Sequence, residues 1–181
     1  MSYMNVIDKL LEVIVCEEAG LTVVKSIDGK KLFSSSQDYT FSLFTTTRTI
    51  ELCEESVASP VLRLVEEQKR LRNEKVVEAR NASDSKLIGR AVMKKRFFWT
   101  SHEIQDAKGN KIAGFKCDGE KYVFDGGIGT ARQDERSKTI SFTVRFAAPL
   151  DREIKLLMIV SAFLMITIEK EAQEALKSMY H

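Results

Sequence analysis

Apolar residues are distributed very unevenly along this chain. Short segments alternate apolar with polar residues through most of the first 150 positions, and one unbroken run, Leu156 to Ile168 (LLMIVSAFLMITI), then collects nearly all the continuous apolar length. At a rise of about 1.5 Å per residue this run is about 20 Å long, short of the roughly 30 Å of hydrocarbon that a spanning helix must cross. Its flanks are charged, with Asp151, Arg152, Glu153 and Lys155 before it and Glu169, Lys170 and Glu171 after it. A helix that is apolar on every face has to be surrounded by protein or by lipid, and length and flanks together favour a buried central helix over membrane insertion. Pro149 ends the preceding segment, and Asp151 reads as the N-cap, with Glu153 adding negative charge at the positive end of the helix dipole. Beyond Ile168 the pattern turns amphipathic, with Ala172, Ala175, Leu176 and Met179 at helical spacing, so 150–178 is expected to hold the central helix and an amphipathic tail that continues it out of the core.

Upstream the pattern predicts strands. Leu21–Ser26 and Lys31–Ser34 flank Asp28-Gly29, a hairpin signal because both turn positions tolerate positive φ. Tyr39–Phe44 alternates, and Thr45–Cys53 continues in strand-forming composition. Lys86–Met93, Phe97–Gln105, Lys111–Lys116, Lys121–Phe124 and Thr139–Phe146 add further strands. Pro60–Arg72 is read as a strand over Val61–Val65 followed by a turn or short helix. Val6–Ile14 suits a short N-terminal helix within 1–17, packed outside the domain or plugging an opening. About nine or ten short strands predict a sandwich or closed barrel in one domain over 1–181. A faint echo relates Ser26–Leu32 to Glu103–Ile112, each reading strand, Asp/Gly turn, lysine, strand; two halves of one barrel would produce it, and so would coincidence.

Composition narrows the function. The 28 Lys plus Arg against 26 Asp plus Glu leave a net charge of +2, too balanced for a polybasic nucleic-acid binder. Cys16, Cys53 and Cys117 lie far apart without CxxC spacing, which argues against a disulfide framework and a structural zinc site and for a reducing, cytoplasmic setting. His102 reads as a surface or core histidine rather than a general base, and Asp125-Gly126-Gly127-Ile128-Gly129-Thr130 lacks the lysine of a phosphate loop and reads as a long flexible hairpin. No catalytic residues, metal or cofactor are assigned. The segment with functional promise is basic: Arg90, Lys94, Lys95 and Arg96, followed by Phe97, Phe98 and Trp99. Such a turn presents cations to lipid phosphates, with Phe98 and Trp99 as aromatics at the headgroup boundary. The competing reading is a solvated loop leading into a core strand. Lys69, Arg70, Arg72 and Lys75 form a second basic group, and nothing in the sequence joins it to the first.

Near the C-terminus, Phe142-Thr143-Val144-Arg145-Phe146-Ala147-Ala148-Pro149-Leu150-Asp151 leads into Lys155-Leu156-Leu157-Met158-Ile159-Val160-Ser161-Ala162-Phe163-Leu164-Met165-Ile166. This resembles the phospholipid scramblase succession of an F-x-I-x-F-P strand, L-D, lysine and apolar helix, within the superfamily that also holds tubby and LURP-one-related proteins. Ile27-Asp28-Gly29, Pro60–Leu64, Ile88–Val92 and Ile104–Gly109 fall in the order those features have in that family. The resemblance implies a mainly β, closed antiparallel barrel threaded by a buried C-terminal hydrophobic helix. It also implies a non-enzymatic protein that binds anionic phospholipid or phosphoinositide headgroups, peripheral at a membrane. Scramblases carry acidic residues before the F-x-I-x-F strand where this chain has Ser137-Lys138-Thr139-Ile140-Ser141, so the proposed calcium site is expected to be absent. The alternatives are a protein-interaction module whose tail docks on a partner, and calcium-independent transbilayer lipid transport.

Overall fold

A computed structural model describes residues 3–41, 45–54, 60–69, 73–96, 99–118, 121–134, 137, 139–147 and 149–179. A short helix α1 (Tyr3–Asp8) precedes β1 (Glu12–Glu18), β2 (Leu21–Ser26), β3 (Lys31–Phe41), β4 (Thr45–Glu54), β5 (Pro60–Lys69) and β6 (Glu74–Asn81). Then come β7 (Leu87–Arg96), β8 (Trp99–Asp106), β9 (Lys111–Asp118), β10 (Lys121–Phe124), β11 (Gly129–Gln133), β12 (Ser141–Phe146) and the long helix α2 (Arg152–Met179). Each strand pairs antiparallel with the next, and β12 returns to pair with β1, closing a twelve-stranded barrel. Closure leaves no sheet edge with unpaired backbone groups.

The apolar run lies inside the barrel. Every residue from Lys155 to Ile166 is buried, and the inward positions of the strands, among them Val13, Val15, Leu64, Ala91, Ile104, Phe115 and Phe142, pack around it as one core. The helix runs close to the wall at Gly89, where an added Cβ would stand 2.5 Å from the Gln105 carbonyl oxygen and 2.8 Å from Leu157 Cδ1. At 28 residues α2 is about 42 Å long, and its second half leaves the barrel. The end where it starts is called here the entry end, and the opposite mouth the exit end.

At the entry end α1 covers the opening with Ile7, which is fully buried. The Lys155 ammonium donates to the carbonyl oxygens of Asp8 and Leu10, both at 2.8 Å, and sits 5.7 Å from the Phe146 ring centroid. A cation is favourable where a helix end leaves its carbonyls unpaired, so this lysine ties α1 to α2.

Several elements differ from the sequence expectations. Helix does not extend over 1–17: it ends at Asp8, and the chain from Glu12 is a strand, because Val13 and Val15 alternate into the core while β2 and β12 pair with either edge. β5 runs on to Lys69 instead of turning after Val65, since β4 and β6 are both long enough to bond its backbone there. β3 joins two expected segments over Lys31–Phe41 and pairs antiparallel with β4. β7 continues through Arg96, three residues past its expected end. Residues 125–128 form the short turn of a β10–β11 hairpin in which Phe124 pairs with Gly129 and Val123 with Thr130, and Gly126 and Gly127 make the turn at φ 72 and 68°.

The two echoed turns share one hydrogen-bond scheme. Gly29 N–H donates to Ser26 O and Ser26 N–H to Lys30 O, while Gly109 N–H donates to Asp106 O and Asp106 N–H to Asn110 O. Both glycines have positive φ, 84 and 87°, which side-chain-bearing residues rarely adopt.

Candidate functional site at the exit mouth

Towards the exit end the inward positions of the strands change from apolar to polar. On β5, Leu62, Leu64 and Glu66 alternate inward, and on β6 Ala79, Val77 and Lys75 oppose the same wall in register. β1 contributes Glu17, β4 Arg48, β7 Lys95, β8 Thr100 and His102, and β10 Tyr122. The emerging part of α2 is held by this collar. Thr167 Oγ1 donates to Glu66 Oε2 at 3.4 Å, and the same oxygen is 3.4 Å from Arg48 Nη1. Lys170 Nζ lies 2.7 Å from Glu17 Oε1, and the buried Lys75 ammonium pairs with Glu171. Burial pushes the Glu66 carboxyl above its usual range, against the opposing pull of Arg48 and Lys75.

Three clefts of about 520, 350 and 230 Å³ surround the helix stem. The largest is lined by Lys75, Met93, Lys95, Thr100, His102 and Tyr122, with Ile168 and Ala172 of the helix on its inner side. His102 stacks on Phe115, with ring centroids 5.1 Å apart at 26°, and meets Tyr122 edge-on at 6.1 Å. Burial lowers the His102 pKa and raises that of Tyr122 to about 12. At neutral pH the wall therefore offers a neutral imidazole and a protonated phenol, both able to hydrogen-bond a ligand.

The cations expected to act together are sorted by the strand. Arg90 and Lys94 are four residues apart, about 13 Å along β7, so they do not share a turn. Both face outward, where Arg90 Nη2 lies 3.9 Å from Glu78 Oε1 and Lys94 Nζ 3.4 Å from Glu103 Oε1. The Arg90 Nε is buried and makes no hydrogen bond. Lys95 alternates to the inside and is exposed in the large cleft, and Arg96 ends β7 opposite Trp99. Phe97 and Phe98 lie outside the described residues, and of Trp99 only its place at the start of β8 is described. The second basic group reaches the first through Lys75. It stands opposite Met93 in the β6–β7 register and lines the same cleft as Lys95, while Arg70 and Arg72 lie outside the described residues.

The sequence reading of Glu66, with Glu67, as solvated surface is corrected by the structure, which buries Glu66 against the helix stem, and Arg48, Tyr122 and Glu171 carried no expectation of a site. A charge standing at the inward phase of an alternating strand, as Glu66 does after Leu62 and Leu64, was the available signal. Cys16 is buried, Cys53 half-buried and Cys117 exposed, all as free thiols. Among the described residues no group of three or more His, Cys, Asp or Glu is placed to hold a metal ion, and no helix is long and apolar enough to cross a membrane.

No protein-family model, curated protein or solved structure matches this chain. Its class therefore rests on its own geometry: a closed twelve-stranded antiparallel barrel built around its C-terminal helix, with a polar, clefted mouth where that helix emerges.

Proposed function

We propose that this chain is a non-enzymatic barrel of the scramblase/tubby type that associates, at the cytoplasmic surface of a membrane, with phospholipid headgroups through the exit end of β7 and β8. The observation that carries the reading is the complete burial of Lys155 to Ile166 inside the barrel. With the apolar run consumed by the core, contact with a membrane falls to the barrel surface, and there β7 ends in Lys94-Lys95-Arg96 beside an open cleft. Each cation near an anionic surface contributes about 1 kcal/mol, which suits weak, reversible attachment. Co-sedimentation with anionic vesicles tests this. The wild type is expected to pellet and a Lys94/Lys95/Arg96→Ala variant to stay in solution; equal binding of the two removes the site.

One observation favours a second reading, a protein-interaction module. On the emergent helix Leu176 is 56% and Met179 79% exposed, an apolar pair one turn apart that nothing among the described residues covers. Pull-downs with the wild type and a Leu176/Met179→Ala variant separate the readings, because lipid attachment through β7 and β8 does not need that apolar pair.

A further inference from the structure

Charge pairing at the exit mouth restricts which headgroup the cleft can accept, an inference that rests on the phospholipid reading above. Most cations at this end already have a carboxylate. Lys94 faces Glu103, Lys75 pairs with Glu171, Lys170 with Glu17 and Arg48 with Glu66. Lys95 differs. Its backbone N–H is fixed by the Asn73 carbonyl at 2.9 Å, its side chain is exposed on the cleft, and among the described residues its ammonium has no partner.

Beside Lys95 the cleft lining includes neutral donors and apolar groups. The Thr100 hydroxyl and the Tyr122 phenol are donors, and Met93, Ile168 and Ala172 supply apolar surface. Glu74 and Glu171 also line the cleft, so its four charged groups sum to zero: Lys75 and Lys95 against Glu74 and Glu171. A headgroup with one negative charge finds one free ammonium and neutral donors. A headgroup with several charges finds the same single ammonium and must approach two carboxylates, and like charges brought together cost free energy. The volume of about 520 Å³ lies within the ordinary range of ligand sites, which barrel mouths commonly form.

We infer that the cleft between β6, β7, β8 and the emerging α2 binds one singly charged phosphodiester headgroup, held at Lys95, and selects it over polyphosphorylated headgroups. The phosphodiester oxygens accept from the Lys95 ammonium, the Thr100 hydroxyl and the Tyr122 phenol.

The test compares phosphatidylglycerol vesicles with phosphatidylinositol bisphosphate vesicles at matched total charge, using the wild type, Lys95→Gln and Lys108→Gln. Equal thermal unfolding of the three proteins establishes that the fold is retained. The expected result is phosphatidylglycerol binding at least as tight as bisphosphate binding. Lys95→Gln should weaken it about fivefold, the ratio given by about 1 kcal/mol per cation, and Lys108→Gln, in the exposed β8–β9 turn at the other end of the barrel, should leave it unchanged. Tighter binding to the bisphosphate vesicles, or wild-type binding by Lys95→Gln, overturns the inference. If Lys95→Gln binds normally while Lys94/Lys95/Arg96→Ala does not, the phospholipid reading stands and the cleft falls. If no vesicle is bound, soluble glycerophosphoglycerol followed by NMR separates the two. Shifts at Thr100 and His102 that Lys95→Gln abolishes uphold the cleft and refute membrane attachment, whereas no shift overturns the cleft.

Discussion

Replacing Lys155 by methionine removes one charge at the entry end and keeps the side-chain length. In the wild type the buried ammonium donates two hydrogen bonds of 2.8 Å to backbone carbonyls. Hydrogen bonds to charged groups contribute about 1.5–3 kcal/mol each, against which stands the cost of burying the ammonium. In Lys155→Met two carbonyls lose their partner, at about 1–3 kcal/mol each if they stay buried. The alternative is for α1 to detach, which exposes Ile7 at a further cost of about 1.5–3 kcal/mol. A six-residue helix has no stability of its own, so detachment is the cheaper route and caps the loss at about 2–4 kcal/mol. For a chain of this size each kcal/mol lowers the melting temperature by about 2–4 °C, giving a fall of about 10 °C. Thermal unfolding measures the loss, and hydrogen exchange locates it, with amides of residues 6–10 losing protection while α2 keeps it. A variant within about 1 kcal/mol of wild type with those amides still protected would refute the account of Lys155 as the tie between the helices.

Two further perturbations probe the wall and the collar. Gly89→Val drives a branched side chain into the Gln105 carbonyl and Leu157, and because a backbone atom is among the clashes the loss should exceed the usual 1–3 kcal/mol of overpacking; comparable melting temperatures would show that the helix can move away from β7. Glu66 has a raised carboxyl pKa in the folded state, so the folded form binds its proton more tightly than the unfolded chain, and its contribution to stability improves as pH falls through that raised value. Glu66→Gln should therefore melt above wild type at neutral pH, with the gap closing on acidification; a gap that widens as pH falls would contradict the sign.

The parts of the fold legible in the sequence are those whose signal is local. Leu156 to Ile168 has no polar face, so it had to be enclosed, and Asp28-Gly29 fixes a hairpin whatever surrounds it. β6 escaped notice because Lys75 stands at an inward position and breaks the pattern that Val77 and Ala79 would otherwise set. β11, Gly-Thr-Ala-Arg-Gln, has little strand propensity and is held by its neighbours β10 and β12. β1 was misread because Ile14 and Cys16 fill in the alternation of Val13 and Val15 and leave an almost continuous apolar stretch. The basic segment was visible as composition, but its chemistry depends on phase and register. Alternation sends Lys95 inward and Lys94 outward, and the carboxylates that neutralise Arg90 and Lys94 come from Glu78 and Glu103 on adjacent strands.

The order of elements along the chain sets the order in which this barrel can be completed. All twelve strands precede the helix that fills them, and the pairing that closes the wall joins β1 to β12. Until α2 is present the inward faces have nothing to pack against, and long-range ties such as Lys155 to Asp8 and Lys170 to Glu17 span 147 and 153 residues. Such non-local closure is slow and leaves apolar strand surface exposed while the chain waits. A premature stop before Lys155 would therefore leave a nearly full-length wall without its core, a product expected to aggregate rather than to act as a shortened barrel.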